Sequence, residues 1–126
     1  MKHLLRLFIF APFTLFSQVN GSLVDEDTKA FNKIIDGFRM SKGSPQELET
    51  RKAAIETATK YATEIPFQVM ETAYNSMEVM QAMIKHGLQS SLSDAGVGAL
   101  CARTAVIGAY FNVRINAKDI KDRNYA

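Results

Sequence analysis

A chain of 126 residues with 15 basic and 13 acidic side chains has a formal charge of +2 spread along its length, so no basic stripe marks a nucleic-acid partner. Hydrophobic residues make up 47% and charged residues 22%, which excludes a generally disordered chain and fits one domain with a modest core. A single cysteine, Cys101, excludes a disulfide framework and suits a reducing compartment.

The N-terminus points elsewhere. Lys2, His3 and Arg6 stand ahead of an apolar run, and Val19-Asn20-Gly21 offers a small-residue cleavage site before Ser22, a pattern that resembles a secretory signal. The run from Leu7 to Phe16 is broken by Pro12 and is shorter than the roughly 20 apolar residues of a membrane span, so no membrane anchor is expected. Residues 1–21 are therefore set apart from a folded region 22–126. They read as an exported leader, an apolar helix docked on the core, or an aberrant start.

Folded structure is expected from Ser22-Leu23-Val24-Asp25, which has the form of a capping box, with Asp25, Glu26 and Asp27 favouring the positive end of a helix. Ala30, Phe31, Ile34, Ile35 and Phe38 repeat at helical spacing and predict an amphipathic helix over Leu23–Arg39. A second capping box, Ser44-Pro45-Gln46-Glu47, opens a long helix. Its apolar face runs through Ile55, Ala58, Ala62, Ile65, Val69, Ala73, Met77, Met80 and Ile84 until Gly87 stops it. Pro66 falls inside this element and predicts a kink, because the apolar period continues across it. At 1.5 Å per residue the helix would be roughly 60 Å long, so a kink or a partner subunit is expected.

A third helix, capped at Ser91 to Asp94, runs to Arg114–Asn116. From Ala95 to Val113 its only strongly polar residues are Arg103 and Asn112, and Gly98, Ala102, Ala105 and Ala109 recur at helical spacing. It reads as a small-residue helix buried on all sides, with Cys101 a buried thiol. Asp119–Ala126 reads as too short and polar to complete a core. No strand alternation, phosphate loop or internal repeat is present, and the predicted architecture is an all-α helical bundle.

Few residues suggest chemistry. Asp27 and Asp94 open helices, where a carboxylate complements the dipole or sits beside free N–H groups able to hold an anion. Asn112 and Asn116, four apart, share one face and could bind a planar heterocycle or satisfy nearby carbonyls. Asp94 and Asn112 point the same way but lie roughly 27 Å apart along the axis, so within one chain they cannot share a small site. Arg103 calls for a carboxylate partner or a gap to solvent. His3 and His86 have no company that suggests a metal site.

Three segments carry a family resemblance: LVDEDTKAFNKIIDGFRM (Leu23–Met40), KAAIETATKYATEIPFQVMETA (Lys52–Ala73) and SDAGVGALCARTAVIGAYFNVRIN (Ser93–Asn116). From Leu23 to about Asp122 the sequence resembles the cyclodeaminase domain of formimidoyltransferase-cyclodeaminase and the single-domain methenyltetrahydrofolate cyclohydrolases. The resemblance implies an all-helical, homo-oligomeric, cytoplasmic enzyme of folate one-carbon metabolism and histidine catabolism. The implied reaction is that of a lyase, closing 5-formimidoyltetrahydrofolate to 5,10-methenyltetrahydrofolate with loss of ammonia. Tetrahydrofolate is the implied carrier and no metal is implied. Asp27 and Asp94 are the implied catalytic carboxylates, and Asn112 and Asn116 fall in a segment that could hold the pterin. A glycine-rich loop and two helices ahead of Leu23, and a long helix after Tyr125, belong to the family pattern and are not found in this sequence. A partial domain is therefore expected, either enzymatic or a non-catalytic helical association module, in the cytoplasm unless residues 1–21 direct secretion.

Overall fold

The computed structural model describes residues 23–125, which form three helices and no strand. Helix α1 covers residues 23–39 and α2 runs over Pro45–His86; α3, Leu92–Ala117, follows a single 3-10 turn at Gln89–Ser91. The predicted all-α bundle with one long helix is the observed architecture.

Local chemistry sets the ends of α2. Ser44 Oγ accepts from the Glu47 N–H at 3.2 Å, and the Ser44 N–H donates to Glu47 Oε2 at 2.8 Å, so two groups that a helix start leaves unpaired are satisfied. At the other end the Gly87 N–H donates to the Met83 carbonyl at 2.8 Å. A Cβ on Gly87 would stand 2.3 Å from that carbonyl oxygen, so the chain leaves α2 by a close approach that only glycine permits, in extended rather than left-handed backbone.

Both other helices lie antiparallel on α2. Gly37 of α1 faces Ile55, and Leu23 packs with Ala62 and Ile65. Gly98 of α3 faces Met80, and Asn116 reaches Ala62. One helix thus covers the first half of α2 and the other its second half, and both reach the turn Ala62–Pro66.

That turn contains Pro66, yet α2 is continuous through it. Proline has no N–H to offer the carbonyl four residues earlier, which here is Ala62. Asn116 supplies the missing donor, with Nδ2 2.8 Å from the Ala62 oxygen in a half-buried position. A defect in the α2 ladder is thereby turned into a tie to α3.

Several expectations are corrected. The small-residue helix is not buried on all sides: Ala95, Ala102 and Ala109 are buried against α2, but Val97, Leu100, Phe111 and Ile115 are exposed. Cys101 is exposed for the same reason, since it lies on the side away from α2. Arg103 is exposed and makes no salt bridge among the described residues, so it reaches solvent. Ser91 makes no side-chain cap on α3. In α1 the buried line is Leu23, Ala30 and Gly37, with Ile34 half-buried, while Phe31 and Phe38 stay exposed. Ile84, placed on the buried face of α2, is also exposed. By length and composition the segment Gln89–Ala117 is long and apolar enough to cross a membrane, a property the sequence reading sought only at the N-terminus. The expected cap at Ser22 and the readings of residues 1–21 lie outside the described residues.

The C-terminal segment also differs from expectation. It folds back on α2: Ile120 is fully buried, Glu56 accepts the N–H groups of Lys121 and Asp122 at 3.0 and 3.1 Å, and Lys60 pairs with Asp122 at 2.7 Å. Tyr125 Oη donates to Glu64 at 3.1 Å. Glu56, Lys60 and Glu64 recur every four residues and present one polar face to this segment.

Replacing Asn116 by Ala strands the Ala62 carbonyl and is expected to cost about 1–2 kcal/mol in urea denaturation. In a Pro66→Ala background residue 66 regains its N–H, and the same Asn116→Ala change should cost less. Equal costs in the two backgrounds would show that the proline and the asparagine are not coupled.

Candidate functional site

The richest polar cluster lies where α1 crosses α2. Tyr61 donates its hydroxyl to Glu26 Oε2, and Lys29 Nζ contacts Glu26 Oε1 at 2.7 Å. The Lys33 ammonium lies 4.1 Å from the centre of the Tyr61 ring. Helical spacing produces the arrangement: Glu26, Lys29 and Lys33 succeed one another at three- and four-residue intervals on the flank of α1. The hydrogen bonds from Lys29 and Tyr61 hold the Glu26 carboxyl below the usual glutamate range. Sharing its proton with that carboxylate raises the Tyr61 hydroxyl, and Glu26 raises Lys29.

Beside this cluster a cleft of about 520 Å³ opens between α1 and α2, with Tyr61, Lys33, Asp36, Gly37, Thr57 and Ala58 among its lining. Its size suits a small molecule. None of the four residues singled out from the sequence lines it.

Those four are spread out. Asp27 is exposed, next to Glu26 and one turn beyond Leu23, at the Ala62–Ile65 level of α2. Asp94 is exposed in the first turn of α3, one turn before Gly98, which faces Met80. Ala62 and Met80 are 18 residues apart on α2, about 27 Å, so Asp27 lies near the middle of α2 and Asp94 toward its C-terminal end. Asn112 is exposed, and Asn116 is engaged with Ala62. Within a single chain the structure brings Asn116 and Asp27 to the same region of α2 and leaves Asp94 apart.

Sequence reasoning passed over Glu26, Tyr61, Lys29 and Lys33. Glu26 was grouped with the end charges of α1, and Tyr61 sits within a run that reads as packing. The available signal was the Glu26, Lys29, Lys33 spacing, but its phenolic partner comes 35 residues later in sequence.

Because folding depresses the Glu26 carboxyl, its contribution to stability is full above the ordinary glutamate range and is lost as pH falls through the lowered folded-state value. Tyr61, raised by folding, contributes below the ordinary tyrosine range and loses that contribution as pH rises through its folded-state value. A Glu26→Gln chain should therefore show a flatter decline in urea midpoint on acidification than the unaltered chain. Identical acid limbs would count against this pair.

Comparison with known proteins gives a consistent picture. The family model described as formiminotransferase-cyclodeaminase matches residues 9–126. The formimidoyltransferase-cyclodeaminase of Mus musculus is 35% identical over 114 residues, 90% of this chain and 21% of that protein. That of Gallus gallus is 36% identical over 104 residues, 82% of this chain and 19% of that protein. The methenyltetrahydrofolate cyclohydrolase of Methylorubrum extorquens is 29% identical over 104 residues, 82% of this chain and 50% of that protein. The chain thus spans about a fifth of the length of the first two relatives and half of the third. The match begins at residue 9, inside the apolar stretch that the sequence reading sets apart, so the family likeness extends upstream of Leu23.

Proposed function

This chain belongs to the formiminotransferase-cyclodeaminase family, and from that premise we propose that it works in folate one-carbon metabolism, closing 5-formimidoyltetrahydrofolate to 5,10-methenyltetrahydrofolate with release of ammonia. The observation that carries the reading is the family match over residues 9–126, supported by relatives whose names specify the cyclodeaminase and the cyclohydrolase. The setting we propose is the cytoplasm, in the histidine-degrading branch of that metabolism.

The chemistry assigns tasks to side chains. N10 of the folate attacks the formimidoyl carbon, a new N10–C bond forms, and the N10 proton must leave. The former imine nitrogen then departs as ammonia only after gaining protons, and a cationic methenyl bridge remains. One group that exchanges protons and one carboxylate that stabilises developing positive charge meet these needs. Asp27 and Asp94 are our candidates, with Asn112 offering amide donors and acceptors to the pterin. Asn116 is given less to substrate, because its amide nitrogen is already committed to Ala62.

One observation favours a second reading. Asp27 lies near the middle of α2 and Asp94 toward its C-terminal end, too far apart to share a small site within one chain, as expected if the domain serves association and not catalysis. Adding 5-formimidoyltetrahydrofolate and following methenyltetrahydrofolate by absorbance separates the two. The folate reading expects product, with Asp94→Asn and Asp27→Asn each lowering the rate about 10²- to 10⁴-fold. Full activity in either variant removes that residue from the mechanism, and no product from the unaltered chain favours the association reading.

A further inference from the structure

The cleft between α1 and α2 has a chemistry of its own. Small side chains line it: Ala53, Ala54, Thr57 and Ala58 succeed one another on α2, and Gly37 lies across from them on α1. Where the two helices come closest they nearly touch, since a Cβ on Gly37 would stand 2.9 Å from Ile55 Cγ1. Beside that contact these positions carry nothing large enough to close the gap, and about 520 Å³ stays open. The Thr57 hydroxyl is turned onto its own helix and donates to the Ala53 carbonyl at 2.9 Å, so the α2 wall offers no free hydroxyl hydrogen. Methyl groups at this spacing make a smooth surface that suits the face of a flat ring. From Ala53 to Tyr61 the wall runs about 12 Å, enough for one or two rings.

Charge selects among flat molecules. Glu26 is already held by Lys29 at 2.7 Å and by the Tyr61 hydroxyl, and Asp36 faces Arg39 at 3.7 Å. Lys33 lines the cleft and forms no salt bridge among the described residues; its ammonium stands instead 4.1 Å from the centre of the Tyr61 ring. The ring holds that cation at the Tyr61 end of the cleft but accepts no ordinary hydrogen bond from it, and three N–H donors remain for a ligand. The surplus charge bordering the apolar wall is therefore positive, and an anion on a flat apolar body answers both features.

We propose that the cleft between α1 and α2 binds a flat aromatic molecule that carries a carboxylate, with its ring on the Ala54–Ala58 wall and its carboxylate on the Lys33 ammonium. The assignment stands on the shape of the cleft and on Lys33. Whether the occupant is the folate substrate, itself aromatic and carboxylated, or a separate effector of the same chemistry is a further question, and only the first of these rests on the folate reading.

Titrating the isotope-labelled full chain with 4-aminobenzoate and following its backbone amide signals tests the assignment. Signals from residues 33–40 and 53–61 should move together and saturate. The neutral 4-aminobenzamide should bind about fivefold more weakly, Lys33→Gln should weaken 4-aminobenzoate by a similar factor, and Lys33→Arg should retain it. Thr57→Leu enlarges an exposed side chain on the α2 wall and should abolish binding while the helical signal in circular dichroism is kept. The proposal is overturned by shifts confined to α3, by equal binding of the acid and the amide, by Lys33→Gln without effect, or by a Thr57→Leu chain that binds as before. With these met, 5-formyltetrahydrofolate displacing 4-aminobenzoate supports the cleft as a folate subsite, and simultaneous binding of both supports it as an effector site. Binding of 4-aminobenzoate in a chain that forms no methenyltetrahydrofolate would support the cleft assignment and count against the folate reading, so the two fail separately.

Discussion

One carbonyl group organises this molecule. Pro66 interrupts the hydrogen-bond ladder of the 42-residue helix α2 and leaves the Ala62 oxygen without its helical donor. An unsatisfied carbonyl in a half-buried position is costly, and Asn116 removes the cost from a distant part of the chain. The same turn carries Ala62 and Ile65, on which Leu23 and Ala30 of α1 close. Both helices that flank α2 are therefore registered at the point where α2 is weakest, and the C-terminal segment after α3 is delivered to the Glu56–Glu64 face one turn further along.

From this arrangement follows the contrast between the two faces of α3. Its inner side carries alanine and glycine; a Cβ on Gly98 would stand 2.7 Å from the Met80 sulfur, so that flexible side chain would have to shift to accept one. Larger side chains, Val97, Leu100, Phe111 and Ile115, are turned outward and exposed. The apolar character of the helix divides between a small inner stripe that packs on α2 and a bulkier outer face that stays exposed.

Local rules explain how much of this could be read in advance. The span of α1, the capping box of Ser44 and Glu47 and the stop at Gly87 depend on neighbours within a few residues, and they were legible. Burial was less so. Periodicity alone does not say how many sides of a helix have neighbours, so α3 read as buried throughout and Phe31 and Phe38 read as inward. Contacts between distant segments were not legible at all: Glu26 to Tyr61, Glu56 to the 121–122 backbone, and Asn116 to Ala62 each need the fold before they have a partner. For the candidate site, the residues could be named from sequence, but that Asp27 and Asp94 lie at different levels of α2 could not.

Family membership and the separation of these carboxylates bear together on the proposed folate chemistry, because within a single chain Asp27 and Asp94 lie about 27 Å apart along α2, too far to share one small site. The most direct measurement of the proposed chemistry is methenyltetrahydrofolate formation when 5-formimidoyltetrahydrofolate is added to the full chain. The proposal predicts product, at a rate that drops when either Asp27 or Asp94 is replaced by Asn. No product, or a rate unchanged by both replacements, would contradict it.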